Sequence, residues 1–450
     1  MEQPEQKYKS VNEIYRQLTA CEPRLFSNFV PEKQSSIDQK TAFLAGSVRN
    51  PHHLYDKLAQ VDFEGSLQTI RTTGAQLLDH ADMNPKHAIA YEQFIDNYTK
   101  KTRLGELANL YNLCTDVDTK QQIKTEYLEL NIELYGEPDK ATYRSLLKEK
   151  ITLIDSKQLD GTGQRLKDEL HGMIDGTLDG EVAERFRPSQ ETVEWMHKVT
   201  ETLYGSMLSH ISKQEMFTVI EIEAVFRQII ESEFGEAAEG WTIDIEPAAS
   251  INVKSSEKRI VIPIDLKDQS YKMMRELVVH EIGVHMLRAV MGGETDVDPL
   301  ANGLDDYYDA EEGLGSIMAQ ADRGTYKEAT GVDHYITVGA AYFDEMDFRD
   351  TFEMKWRIAV LESAKDGVDI TEAAIAKAKN TQYAKTRRIF RGTDELPWFK
   401  DLAYYNGSSN MWRYLEEIRG DDLRFMFVLL GKADPSKHEH QQIQYEARTV

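Results

Sequence analysis

Cysteine is nearly absent: Cys21 and Cys114 are the only two in 450 residues. A disulfide framework needs more, and neither has a C-x-x-C partner. Thiol metal sites and dithiol redox chemistry are therefore excluded, and both cysteines read as small core or surface residues. Long apolar runs are missing as well, none approaching the roughly 20 residues that cross a bilayer. The start, Met1-Glu2-Gln3-Pro4-Glu5-Gln6, is polar, with no apolar stretch behind a positive leader. Basic runs are scarce. Lys and Arg number 53 against 77 Asp and Glu, so the formal net charge is −24. Such a charge repels phosphate backbones and anionic membrane surfaces. The expectation is a cytoplasmic protein with neither nucleic acid nor membrane as partner.

What is present suits a packed globule. Hydrophobic residues make up 41% of the chain and aromatic ones 9%, enough for one large core or two to three ordinary ones. Residues 1–60 mix Pro, Asn, Gln and Ser with scattered apolar anchors and read as an irregular arm with one or two helices. Residues 61–178 show apolar residues at helical spacing, such as Leu104, Leu107, Leu110 and Tyr111. The Gly-containing segment 175–180 is the best boundary, and a second unit follows over 179–431. Within it, residues 241–245, 250–253 and 259–264 are short and β-branched, and predict three antiparallel strands. A long helix is predicted over 268–291, with Gly292-Gly293 as its stop. Residues 432–450 read as a loosely ordered polar tail.

On that long helix stands His280-Glu281-Ile282-Gly283-Val284-His285. In the H-E-x-x-H zinc motif the histidines are four apart and share a helical face, with the glutamate beside the attacking water. Here they are five apart. On an ideal α-helix five residues rotate by roughly 500°, which would leave the imidazoles about 140° apart. A single π-type turn of about 4.4 residues restores their alignment, and such turns favour functional sites. Gly283 sits inside that turn, where the lack of a Cβ makes distortion cheaper; close helix packing would require the same residue.

Downstream, Asp309-Ala310-Glu311-Glu312-Gly313-Leu314-Gly315 places acids before small residues and an apolar helix. Small residues let a second helix approach the first. A carboxylate there, with Glu312 standing 27 positions after His285, would complete a His-His-Glu set with a fourth position open, as in catalytic zinc sites. Taken alone, Glu311 and Glu312 read better as ordinary acids stabilised by a helix N-terminus.

These pieces, in this order, resemble the microtubule-associated tyrosine carboxypeptidases of animals and their microbial relatives, marked by a Q-E-G-L-A motif. His280 to His285 with Met286-Leu287-Arg288 resembles the family's H-E-I-G-T-H segment, and Glu311 to Gly315 occupies the Q-E-G-L-A place. Arg388-Ile389-Phe390-Arg391-Gly392 and the segment 399–407 resemble two further blocks. Leu134-Tyr135-Gly136-Glu137-Pro138 and residues 251–264 also fit, so the likeness covers roughly residues 60–430. The departures are Glu311 for Gln, Gly315 for Ala and Val284 for Thr, none of which removes a ligand or base.

The resemblance implies a zinc metallopeptidase with a mainly helical α+β, zincin-like domain, a small antiparallel sheet and a helical N-terminal region before it. It implies one Zn2+ per chain on His280, His285 and Glu312, with Glu281 as general base. Tyr404, Tyr405 and His334 are candidates to steady the oxyanion, and Tyr404 is preferred because it falls on a family block. Removal of C-terminal residues from a peptide or protein needs a cation for the terminal carboxylate. Arg391 and Lys400 are the candidates, with Arg388 next; they would otherwise pair with Asp394, Glu395 or Asp401 on a solvated face. The strand 259–264 would pair with an extended peptide. The net charge of −24 sets the chain against strongly acidic tails such as tubulin's unless a basic groove intervenes. Two other readings stay open: an aminopeptidase or dipeptidyl peptidase with Glu311 holding the free amine, and a non-catalytic zinc-binding regulatory protein.

Overall fold

A computed structural model describes residues 10–447, apart from residues 160, 249, 325 and 327–329. Helices dominate, and their starts are written locally. Asp62, Asp116, Asp139, Ser189, Asp347 and Thr371 each accept a backbone N–H from the first turn that follows. The N-terminal arm is more regular than its composition suggests, with helices Val11–Thr19, Leu25–Asn28, Lys33–Leu44 and Asp56–Ala59. Ser10 and Glu13 close a capping box there, and Glu32 accepts from Gln34 and Ser35. Residues 174–189 run as turns and irregular chain between the helices Gly161–Met173 and Gln190–Ser209. The polar tail carries the helix His438–Glu446, so it is more ordered than expected.

The strands are β1 (Met216–Phe217), β2 (Thr242–Glu246), β3 (Asn252–Lys254), β4 (Arg259–Pro263) and β5 (Gln269–Ser270). β1 and β5 form an antiparallel pair, and the other three make a sheet of order β2-β4-β3. β3 and β4 are antiparallel as expected, with Val253 opposite Ile260, but β2 is parallel to β4, with Ile243 opposite Ile260. Two chain reversals bring β4 back to the direction of β2, and β4 lies between its predecessors, so its two neighbours run opposite ways. Strand order is not a local property, which is why patterning missed it. Because β4 is central, its ladder is filled on both sides. It cannot accept an added peptide strand; the sheet edges are β2 and β3, and β3 packs beside the metal-motif helix.

Two large apolar cores organise the molecule. The first joins Leu25, Phe43, Leu104 and Tyr143 to Phe348, Phe390, Trp398 and Tyr405, so N-terminal helices and the region 332–405 share it. The second joins Met196, Tyr204 and Phe226 to the sheet residues Ile260 and Ile262, to Val278 and Ile282, and to Leu314, Met411 and Trp412. The helix Tyr307–Asp322 is buried continuously from Ala310 to Ala321, as a central helix wrapped on all sides must be. The helix Ala403–Glu417 connects the cores, with Tyr405 in the first and Met411 in the second.

Candidate metal centre

The long helix is capped by Ser270, whose side chain accepts from Met273 N, and continues from Tyr271 to Gly293 in three segments. Tyr271–Leu277 is α-helical, Val278–Met286 is a π-helix, and Leu287–Gly293 is α-helical again. The five-residue histidine spacing predicts this widening. It turns His280 and His285 to one side, with ring centroids 4.7 Å apart and planes at 84°. Gly283 lies inside the widened turn and admits a close neighbour. A Cβ there would lie 2.7 Å from Tyr204 Cε1, so the glycine admits the tyrosine ring, and its own carbonyl accepts from Tyr204 Oη at 2.9 Å.

The helix Tyr307–Asp322 lies against the π segment and brings Glu312 to the histidines. Ligand atoms of His280, His285 and Glu312 lie within 4.8 Å of one another, with His280 Nε2 3.9 Å from Glu312 Oε2. Ligands about 2.1 Å from a tetrahedral zinc stand about 3.4 Å apart, so small side-chain adjustments suffice. Two imidazoles and a carboxylate are also the donor types zinc takes. The residue fit is therefore good. Gly315 contributes: a Cβ there would sit 2.7 Å from His280 Cε1, so the glycine in place of alanine gives the ring its room.

Glu311 does something the sequence did not reveal. It is 2% exposed, and its carboxylate accepts from His285 Nδ1 at 2.8 Å, from Lys432 Nζ at 2.6 Å and from Arg288. Burial alone would raise this carboxyl, but Lys432, then Arg288 and His285, hold it well below the usual carboxylate range. Three donors already occupy this carboxylate, which is poorly placed to hold a substrate amine as well. Arg288, three residues after His285, was legible as a neighbour on the same helix; Lys432, far along the chain, was not.

The cationic residues converge on Asp401, which is 1% exposed. Burial would raise Asp401, but Arg388, Arg391 and Lys400 hold it well below the carboxylate range. Arg388 forks onto it at 2.6 and 3.0 Å and donates to Tyr404 Oη at 3.1 Å. Arg391 is stacked between Phe26 and Trp398, 4.7 and 4.4 Å from their ring centroids, with Nε and Nη2 buried and without hydrogen-bond partners. Lys400 is also buried and donates to Tyr308 Oη, one turn before Glu312. Burial pushes its ammonium down to about 7, against Asp401, and Lys101 adds to the depression. The solvated-face reading fails for these residues, since one acid serves three buried or partly buried cations.

Among the oxyanion candidates, Tyr404 is the one on which the Glu312 charge acts. Burial and then the Glu312 charge push its phenol upward, and His334 lies beside it with ring centroids 5.7 Å apart. Burial pushes His334 down to about 4, so its ring is neutral. Tyr405 points elsewhere and packs on Tyr335 with centroids 4.9 Å apart. No helix among the described residues is long and apolar enough to cross a membrane.

No curated protein and no solved structure matches the chain. A sequence model described as microtubule-associated tyrosine carboxypeptidase does match, over residues 170–444. That segment holds both histidines, Glu281, Glu312 and the residues 388–405. It spans more than half of the sequence, and the protein belongs to the microtubule-associated tyrosine carboxypeptidase family.

Proposed function

We propose that the protein is a zinc-dependent carboxypeptidase that removes C-terminal residues from a peptide or protein. The observation that carries this reading is the gathering of His280, His285 and Glu312 across two helices, with Glu281 on the same widened turn. These three would hold one zinc ion, which when bound acidifies water and polarises a carbonyl. Three side chains form the group among the described residues, the number a catalytic site keeps; a purely structural site has four protein ligands.

Glu281 is the general base that takes the attacking water's proton and returns it to the leaving amine. The Tyr404 hydroxyl, oriented by Arg388, donates to the oxyanion that develops on the scissile carbonyl. Arg391, Lys400 and Arg388 together supply positive charge in excess of Asp401. The unpartnered donors of Arg391 favour an anion such as a terminal carboxylate. Exposure of β3, the edge strand beside the π segment, suits pairing with an extended substrate.

The test is a C-terminal peptide library read by mass spectrometry, wild type beside Glu281→Gln at matched zinc occupancy. Loss of terminal residues with wild type alone supports the reading. Internal cleavage would retire the carboxylate role of Arg391 and Lys400, and no cleavage at all would leave a zinc-binding regulator ahead.

A further inference from the structure

Glu311 has no part in the chemistry above, yet it is the most densely coordinated acid near the ligands. Oε1 accepts from His285 Nδ1 at 2.8 Å and from Lys432 Nζ at 2.6 Å, and Oε2 accepts from Arg288 Nη1. A carboxylate between two cations has no proton to give, so the proton in the His285 contact sits on Nδ1. In a neutral ring that leaves the lone pair on Nε2.

We propose that Glu311 is a positioning residue of the metal centre: it fixes the ring and tautomer of His285 so that Nε2 faces the metal, and Lys432 and Arg288 hold Glu311 in place. The inference rests on the reading of His280, His285 and Glu312 as metal ligands. A carboxylate behind a ligating imidazole fixes its orientation and raises its basicity, and loss of such a group typically lowers metal affinity by about 10–100-fold. The cations have a second task. Arg288 is fully buried and its Nη2 donates to the Ala433 carbonyl, so the segment 432–433 is pinned to the ligand helix through the same network.

A carboxylate that merely neutralised Lys432 and Arg288 would look similar, so the readouts must report on His285 itself. The full-length protein is titrated with zinc against a competing chelator as wild type, Glu311→Ala, Glu311→Gln and the pair Glu311→Gln with Lys432→Met. Glu311→Ala should weaken zinc by about 10–100-fold. Glu311→Gln turns an amide N–H toward two cations and should weaken it too, whereas adding Lys432→Met should restore part of the loss. Cobalt-loaded forms should differ from wild type in their visible spectra. Should the variants unfold, wild type alone decides: its zinc-bound nitrogen-15 spectrum should show His285 as the Nδ1–H tautomer. Variants that bind zinc as tightly as wild type with an unchanged cobalt spectrum, or a His285 protonated on Nε2, would overturn the role of Glu311 and leave the metal reading standing. Wild type that binds no zinc would overturn both.

Discussion

The Tyr204 hydroxyl donates to the Gly283 carbonyl at 2.9 Å, in the middle of the turn that aligns the two histidines. Tyr204 is fully buried, and its ring occupies the space a side chain at 283 would need. Gly283→Val should therefore displace the tyrosine, and both stability and zinc affinity should fall. Tyr204→Phe keeps the ring but removes one hydrogen bond to that carbonyl, at a cost of about 0.5–1.5 kcal/mol. Thermal unfolding and chelator competition on the two variants check this; a Gly283→Val protein with wild-type zinc affinity would refute the link between the widened turn and the metal.

Metal-replete protein should carry about one zinc per chain, and chelation should lower its melting temperature because a ligand that binds only the folded state stabilises it. Glu312→Gln should reduce affinity by removing the one charged ligand, and His280→Ala or His285→Ala should reduce it further. Elemental analysis after gel filtration measures the stoichiometry. A chain with no transition metal after zinc addition would remove the enzymatic reading.

Glu281→Gln preserves volume and hydrogen-bond reach while deleting the base. Zinc occupancy should stay at the wild-type level while peptide hydrolysis falls by on the order of 10²-fold or more. Equal turnover by the two proteins would exclude Glu281 from proton transfer.

Lys400 offers a pH test with a definite sign. Burial pushes its ammonium down to about 7 in the folded protein, against about 10.4 in the unfolded chain. Its buried charge costs stability fully below pH 7, and that cost is relieved as pH rises from 7 toward the unfolded value. Lys400→Met should accordingly raise the melting temperature more at pH 6 than at pH 9. In the same variant KM for peptides with free C-termini should rise, while C-terminally amidated peptides are spared. For wild type, KM for free C-termini should climb as pH passes 7 and the cation is lost. A flat KM profile would dissociate Lys400 from the carboxylate.

Much of the centre was legible because it depends on short-range geometry. A spacing of five from His280 to His285 demands a π turn, and small residues after Glu312 permit the helix approach that Gly315 makes against His280. The helical character of the chain was equally plain from its periodicity. What stayed hidden depends on distant partners. Glu311 looked like a spare charge until Lys432 and Arg288 enclosed it, and a solvated face stayed open as an alternative for Arg391 until Phe26 stacked over it from the N-terminal arm. The parallel β2–β4 pairing was hidden for the same reason, since nothing within either strand says which will be its neighbour.

The sharing of one apolar core by the N-terminal helices and the region 332–405 bears on what counts as an independent part of this protein. Residue 170, where the match to the family begins, is not a natural place to cut. A polypeptide starting there would leave Tyr335, Phe348, Phe390 and Trp398 without Phe29, Phe43, Tyr127 and Leu147 against them, and would strip Asp394 of the donors it receives from His53 and Tyr55. Such a fragment should aggregate or bind a hydrophobic dye, whereas co-expression of residues 1–169 as a separate chain should restore solubility. The stretch matched to the family and the stretch that shares its apolar core are thus not the same part of the sequence.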